Sequence, residues 1–436
     1  MIINIILKNL KLSHDFEKIL TNIKWLLIDK GVRIALGLFV YIVVARVFGA
    51  SIFGDFNYAL AIVGVASVLI SFGTQAYIVR ELAKNPLDRD KVLGTAFICQ
   101  FFTAVFLMIN IFIFYKINHN INEINHKLVI ILCLALIFKS TDVIRYWYES
   151  QVNNKKLIKF ENILYICLSL LKITLLFGGM DVTALAYYMV GEAFLQSILI
   201  VFIYGREQRI SWKFSLLKAK ESIKFGLPLA LSDLTIILYM RIDQILINNY
   251  LDSRAVGLFS AAVRISEGWL VLPMVVASSI FPSLVQLHAQ DIPKYLDRLN
   301  ALYRLTFQIS LAVAIPLSLF SGKIIDLVYG PEFSGASIIL AIHVWAGLFA
   351  ALGVAQGKNL LADGKQLYVF IFTAAGLTTN VLLNLYFLPI LGVIGAAISI
   401  LVAQMAVVLI FPLVFSETRQ KTLYMMGAMI KSVWRP

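Results

Sequence analysis

Arg241 and Asp243 lie inside an apolar stretch, residues 225–249, that is long enough to cross a membrane. Charged side chains at such depth normally face protein or water, and they often mark a substrate or ion pathway. A desolvated arginine makes strong hydrogen bonds to phosphate and carboxylate oxygens, whereas a carboxylate can pair helices or carry a coupling ion. The two side chains are about 200° apart around a helix. We therefore expect Arg241 to face a cavity and Asp243 to hold a neighbouring helix.

Arg264 repeats this pattern on the following apolar segment. Arg241 and Arg264 each lie about eight or nine residues from the polar turn at 250–255, which is roughly 12 Å of helix. Glu267 is one turn from Arg264, and Asp233 is two turns from Arg241. We predict that Arg241 and Arg264 are cavity-lining cations, and that Asp233, Asp243 and Glu267 pair helices or take part in coupling.

A second charged stripe lies on the fourth apolar segment, where Lys139, Asp142, Arg145 and Glu149 share one helical face about 120° wide. Asp142 can pair with Lys139 or Arg145 at a spacing of three, and Arg145 with Glu149 at a spacing of four. The stripe either lines a wet cavity or neutralises itself near the membrane surface, with long side chains reaching the interface. Because Lys139 lies near mid-depth, we predict that Lys139 and Arg145 line the cavity.

Arg33 occupies the first apolar segment, with Asp29 one turn before it. It lies only a turn or two from the end of that segment, so lining a cavity and reaching to the interface both remain open. We include Arg33 among the candidate cavity cations.

Motifs for catalysis or cofactor binding do not occur in the sequence. There is no glycine-rich phosphate loop and no His-Glu-x-x-His motif. The five histidines are scattered, and the three cysteines (Cys99, Cys133 and Cys167) are isolated within apolar runs. We therefore predict a protein without enzymatic activity, metal or cofactor, in which H⁺ or Na⁺ is a possible coupling ion.

The composition is that of a polytopic membrane protein. Of 436 residues, 60% are hydrophobic and 14% are charged, with a mean hydropathy of +0.84. Soluble domains contain about 25% charged residues. The net charge of +13 does not indicate nucleic-acid binding, because the basic residues fall between apolar segments, as the positive-inside rule expects.

Roughly 20 apolar residues are needed for each membrane crossing. By that measure the sequence predicts twelve helices, near 26–47, 56–79, 92–115, 128–151, 160–177, 182–204, 225–249, 256–287, 305–321, 336–357, 367–388 and 393–415. Lysine and arginine concentrate in the two tails and in alternate connections. The opposite connections contain only Arg46, Lys116, Lys127, Arg254 and Lys323. Both termini are therefore predicted to be cytoplasmic.

The longest connection is basic and divides these helices into two sets of six. We predict an amphipathic cytoplasmic segment, an N-lobe, a linker, a C-lobe and a cytoplasmic tail, at residues 1–24, 25–204, 205–224, 225–415 and 416–436. Gly54, Phe56 and Ala59, after the first helix, align with Gly257, Phe259 and Ala262 in the second half. With an even helix number per half, this match indicates a parallel pseudo-repeat.

Several stretches occur together in the order found in one transporter family. They are 45–49 with 53–59 (ARVFG and FGDFNYA), 73–82 (GTQAYIVREL), 241–244 (RIDQ), 256–262 (VGLFSAA), 282–284 (PSL) and 392–397 (GVIGAA). Together they resemble Wzx-type O-antigen flippases, which are polysaccharide exporters of the MOP (MATE-like) superfamily. The matches extend over nearly the whole span 30–415.

This resemblance implies an all-α protein of the bacterial inner membrane, with two six-helix lobes around a central cavity and alternating access. The implied cargo is an undecaprenyl-pyrophosphate-linked oligosaccharide, moved from the cytoplasmic to the periplasmic leaflet. Its pyrophosphate and acidic sugars are expected to be bound by Arg33, Lys139, Arg145, Arg241 and Arg264, with membrane lipid and other polysaccharide-assembly proteins as further partners.

Two other functions compete with this interpretation. A cation-coupled multidrug exporter of the same superfamily would need exposed carboxylates within the membrane for cationic cargo. A membrane-embedded glycan polymerase or glycosyltransferase would normally carry a large periplasmic loop, whereas the longest outer connections here are about a dozen residues. Alanine replacement of the cavity bases distinguishes the first alternative, because a drug exporter should tolerate it.

Overall fold

The computed structural model describes residues 14–117 and 122–434, and this part of the chain is helical without any strand. Residues 1–13 of the predicted amphipathic segment 1–24 lie outside the described residues. The remainder of that segment belongs to the helix that begins at His14. The prediction of an all-α protein is confirmed.

Eighteen α-helices follow one another along the described chain. They are α1 (His14–Ser71), α2 (Thr74–Lys84), α3 (Arg89–Ile117), α4 (Glu123–Cys133), α5 (Ala135–Phe138), α6 (Val143–Ser150), α7 (Lys155–Phe177), α8 (Val182–Glu207), α9 (Leu216–Tyr250), α10 (Ser253–Gly268), α11 (Val271–Gln290), α12 (Ile292–Leu319), α13 (Ser321–Val328), α14 (Ala336–Ala362), α15 (Gln366–Leu391), α16 (Val393–Met405), α17 (Phe411–Val414) and α18 (Ser416–Trp434). Short 3₁₀ turns occur at Pro86–Asp88, Lys139–Asp142 and Pro331–Phe333, and a π-helical turn at Ala406–Ile410 joins α16 to α17.

Ten helical segments of the described chain are long and apolar enough to cross a membrane. This confirms a multi-pass membrane protein, although the twelve predicted crossings do not all appear as separate helices. The segment Gly31–Lys84 contains two predicted crossings, with a kink at Gly49, whose φ is 71°. The predicted crossing 128–151 is divided among α4, α5, a 3₁₀ turn and α6, none of which is long enough alone.

The chain forms two compact units. The first contains residues up to Val47 and Ile62–Leu234, and its core includes the fully enclosed Leu93, Ile144 and Tyr204. The second contains Phe48–Ala61 and the chain from Thr235 onward, and its core includes Tyr295 and Tyr303. Helices α1 and α9 therefore each supply residues to both units.

Gly54 and Gly257, which align in the sequence repeat, lie against one another's backbone turns in the second unit. A Cβ on Gly54 would overlap the carbonyl oxygen of Ser253, and a Cβ on Gly257 would overlap that of Ala50. The Ser253 hydroxyl also donates to Asp55. Glycine is needed at both positions because two backbones approach too closely for any side chain.

Candidate functional site

A break in the predicted fourth helix positions the first group of charges. The chain leaves α5 at Phe138 and turns through the 3₁₀ segment Lys139–Asp142 before α6 begins. This tighter turn brings both bases to Asp142: Lys139 Nζ lies 3.8 Å from Oδ2, and Arg145 Nη1 lies 3.1 Å from Oδ1. Asp142 thus joins Lys139 to Arg145, as their spacing of three residues on either side allows.

Glu161 on α7 is the second acid of this group. Its Oε1 accepts a hydrogen bond of 2.8 Å from Arg145 Nε, and its Oε2 lies 3.7 Å from Arg33 Nη2. The Arg33 guanidinium also lies over the ring of Tyr165, 5.2 Å from its centroid. We call Arg33, Lys139, Asp142, Arg145 and Glu161 the basic cluster.

The sequence did not single out Glu161. The acid expected beside Arg145, Glu149, instead accepts a hydrogen bond of 3.1 Å from Gln75. The side chain of Asp29 lies outside the described residues. A prediction that α7 packs beside the fourth helix would have been needed to identify Glu161, because it lies 16 residues beyond Arg145, on the next long helix.

The bases of the basic cluster are anchored but accessible. Their side chains are 30% (Arg33), 30% (Lys139) and 34% (Arg145) exposed, whereas Glu161 is 6% exposed. Arg145 uses Nε for Glu161 and Nη1 for Asp142, and Nη2 has no carboxylate partner among the described residues. The exposed parts of these three basic side chains can therefore accept a further anion.

In the second unit Asp243 has a different environment. It is buried, and its Oδ1 accepts hydrogen bonds from Asn380 Nδ2 (2.9 Å) and Asn384 Nδ2 (2.7 Å) on α15. Asp243 therefore contacts a neighbouring helix. The two asparagines were missed at the sequence level, although two amides one turn apart in an otherwise apolar helix are a recognisable polar pair.

Arg241, Arg264 and Glu267 form a separate group in the same unit. Both guanidinium groups act electrostatically on the Glu267 carboxylate. Arg264 is exposed and Arg241 is half-buried. Glu267 and Asp243 also line one cavity of about 50 Å³ together with Tyr239, His343 and other residues, which is room for a few water molecules. We call Asp243, Glu267, Asn380 and Asn384 the enclosed acid site.

Asp233 lies in the first unit, on the part of α9 before Thr235. Its carboxylate is exposed and has no hydrogen bond or ion pair within the described ranges. Asp233 borders a cavity that also includes Glu149 and Arg80. It thus belongs to neither of the two charged groups described above.

Comparison with known proteins gives one matching family. The family described as "Polysaccharide biosynthesis protein" matches residues 19–288. This span includes the whole basic cluster and Asp243, Arg264 and Glu267.

Two curated relatives carry names from glycan export. The chain is 22% identical over 372 residues to a probable low-salt glycan biosynthesis flippase, Agl15, of Haloferax volcanii, covering 81% of this chain and 74% of the relative. It is 22% identical over 444 residues to the lipopolysaccharide biosynthesis protein WzxC of Escherichia coli, covering 96% of this chain and 85% of the relative.

Among solved structures, the lipid II flippase MurJ in an inward closed conformation has a similar fold. The TM-score is 0.72 at 15% sequence identity, and the match covers 93% of this chain and 89% of MurJ. At this identity the likeness concerns the fold alone.

Proposed function

Because the chain belongs to the polysaccharide biosynthesis protein family, we propose that it flips undecaprenyl-pyrophosphate-linked oligosaccharides from the cytoplasmic to the periplasmic leaflet by alternating access. The resemblance to Wzx-type flippases of the MOP superfamily is confirmed by the family match and the named relatives. The protein is accordingly a multi-pass membrane transporter and not an enzyme. The bacterial inner membrane is its proposed location.

The observation that carries the proposal is the basic cluster. Pyrophosphate cannot cross hydrocarbon unaided, and desolvated arginine and lysine bind it through charge-assisted hydrogen bonds. Asp142 and Glu161 hold Arg33, Lys139 and Arg145 from one side, while about a third of each basic side chain stays accessible. We assign these three bases, with Arg241 and Arg264, to binding of the pyrophosphate and of acidic sugars.

The proposed topology has twelve crossings and cytoplasmic termini. The ten candidate spans become twelve if the kink at Gly49 separates two crossings and the broken segment 123–150 forms one more. Residues 25–204 and 225–415 would then form two six-helix lobes around a central cavity. Segments 1–24, 205–224 and 416–436 would be a cytoplasmic tail, linker and tail, consistent with their basic residues.

The enclosed acid site is the proposed place of coupling. Asp243 is a buried carboxylate held by neutral amides, and Glu267 lines the same cavity. A proton or Na⁺ would neutralise such a carboxylate. A helix-pairing or coupling role is likewise proposed for Asp142, whereas Asp233, which is exposed and has no ion pair among the described residues, is not assigned to that role.

Complementation tests the proposed function directly. The full chain is expressed in a strain that lacks its own flippase and makes the corresponding glycan, and surface polysaccharide is measured. We expect restored surface polysaccharide. If the protein reaches the membrane in normal amount and lipid-linked precursors still accumulate, the flippase function is refuted.

A further inference from the structure

A cavity of about 470 Å³ lies within the first unit, apart from the basic cluster. Its size falls in the range of about 300–1,000 Å³ that is typical of small-molecule sites. It is lined by residues from α2 and the turn before it, from the end of α6 and from the early part of α9: Gly73, Gln75, Ala76, Val79, Arg80, Glu149, Leu229 and Asp233. None of these positions belongs to the proposed pyrophosphate cations.

The backbone around this cavity is fixed by a tight contact. Between α1 and α2 the chain passes through Phe72 and Gly73 with φ values of 42° and 68°. A Cβ on Gly73 would overlap the backbone of Gly226, and a Cβ on Gly226 would approach the carbonyl oxygen of Phe72 too closely. Pro228 follows within α9 and supplies no backbone N–H. This close backbone contact fixes the position of the cavity wall at the break between α1 and α2.

Polar groups of opposite character line the cavity. Gln75 Nε2 donates to Glu149 Oε2 at 3.1 Å, which holds both side chains in place. The Arg80 guanidinium lies over the ring of Phe225, 4.0 Å from its centroid, and has no carboxylate partner among the described residues. Asp233 has neither hydrogen bond nor ion pair there. The Arg80 guanidinium as a donor and two carboxylates as acceptors thus remain available to a ligand.

This set of groups matches a sugar better than a phosphate. Sugar hydroxyls both donate and accept, so they can donate to Glu149 and Asp233 and accept from Arg80 and Gln75. An ionised phosphate accepts hydrogen bonds but donates none, so it could not bond to Glu149 or Asp233. The negative charge of these two carboxylates exceeds the single positive charge of Arg80 and would repel the phosphate. The same excess of negative charge disfavours a uronic acid.

We infer that this cavity is a glycan-reading site, which binds a neutral, hydroxyl-bearing sugar residue of the lipid-linked oligosaccharide through Glu149, Asp233, Arg80 and Gln75. The inference rests on the proposed function. It separates two tasks within the first unit: the basic cluster binds the pyrophosphate, and the glycan-reading site recognises the sugar. In the proposed topology residues 80–91 are cytoplasmic, so Arg80 borders the side on which the cargo is loaded.

Binding to the full chain in lipid nanodiscs tests this inference with three probes. They are undecaprenyl pyrophosphate alone, the same lipid carrying a neutral disaccharide, and the same lipid carrying a disaccharide with one uronic acid. We expect the neutral disaccharide to improve affinity about tenfold over the sugar-free lipid, since hydrogen bonds to charged groups contribute strongly. The uronic acid probe should gain less.

The variants Asp233→Asn and Glu149→Gln should each remove most of the tenfold gain and leave binding of the sugar-free lipid unchanged. Leu229→Trp fills the cavity without changing any charge, and it should remove the gain as well. Asp297→Asn, at an exposed aspartate of the second unit, is the matched control and should keep the gain. The elution profile in size-exclusion chromatography checks that each variant is folded.

Three results would overturn the glycan-reading site: no gain from the neutral disaccharide, an equal gain from both disaccharides, or a gain that survives all three cavity variants. Failure of the proposed function is recognised separately. In that case the protein binds none of the three probes and does not restore surface polysaccharide.

Discussion

The basic cluster and the enclosed acid site are both charged groups within apolar helices, and they are built in opposite ways. In the basic cluster, two acids hold three bases, and the bases remain about one-third exposed. In the enclosed acid site, two neutral asparagines hold Asp243, which is only 4% exposed and has no ion pair among the described residues. A group that must bind a large anion needs accessible cations. A group that must respond to a proton or small cation needs a carboxylate shielded from competing bases.

The difference also predicts how each region should respond to substitution. Removing a base from the basic cluster leaves an acid with one basic partner fewer and weakens anion binding. Removing the charge of Asp243 leaves the amide partners in place and changes only what the site can bind. Substitutions in the basic cluster should therefore lower both transport and stability, whereas removing the charge of Asp243 should lower transport and leave stability nearly unchanged.

Arg145→Ala should have the largest effect. The Nη2 group, which has no carboxylate partner among the described residues, could no longer bind the pyrophosphate, so transport should fall by about 100-fold. Surface polysaccharide in the complementation strain is the measurement, with protein amount determined in parallel. Arg254→Ala, at an exposed arginine in the second unit, is the control and should transport normally. Full surface polysaccharide in Arg145→Ala would remove this residue from the binding site and would favour the multidrug exporter.

Asp243→Asn should lower transport by about tenfold, because a neutral amide neither releases a proton nor attracts Na⁺. The variant keeps nearly the same shape, so the apparent melting temperature in detergent should change little. Asp326→Asn provides an exposed aspartate on α13 for comparison. If Asp243→Asn transports as well as the wild type, Asp243 only pairs helices and the coupling role is wrong.

Glu161→Gln should reduce transport about threefold and lower the melting temperature. The amide oxygen can still accept from Arg145, but Arg33 and Arg145 then repel each other without the shared anion, at a cost of about 1–3 kcal/mol. Thermal unfolding of the purified protein is the measurement. Glu123→Gln, at an exposed glutamate on α4, serves as the control. Equal stability of the two variants would show that Glu161 does not hold the basic cluster together.

Ser266→Ala should have the smallest effect and none on transport. Ser266 and His343 are buried, and their hydroxyl and Nδ1 lie 2.6 Å apart beside the enclosed acid site. Loss of one such hydrogen bond costs about 1 kcal/mol. The melting temperature should fall slightly relative to Ser279→Ala, whose hydroxyl bonds only to its own helix. A transport defect in a stable Ser266→Ala protein would extend the coupling role beyond Asp243 and Glu267.

The sequence alone was sufficient to predict a multi-pass membrane protein, its family and most of the charged residues that lie within apolar helices. Apolar length and charge distribution are summed along the chain, so they do not depend on which helices are neighbours. The separation of Arg241 from Asp243 around α9 was also predictable, because it follows from helix geometry alone.

The segment 128–151 was only partly predictable. Its apolar composition predicts one continuous helix, which the structure does not contain. The structure divides it and places Lys139–Asp142 in a 3₁₀ turn. Angles of about 100° per residue do not apply across such a turn, since a 3₁₀ segment has about three residues per turn.

The sequence by itself determined that this protein crosses a membrane many times, belongs with polysaccharide flippases and carries costly charges within its spans. Only the tertiary structure decided which partners those charges have on other helices. Arg33 and Arg145 share Glu161 of α7, and Asp243 binds two asparagines of α15. Sequence spacing predicts contacts within one helix, whereas these contacts join different helices, at separations from 16 residues for Arg145 and Glu161 to 141 residues for Asp243 and Asn384. The burial cost of each charge requires a partner, and the packing of helices determines which partner it is.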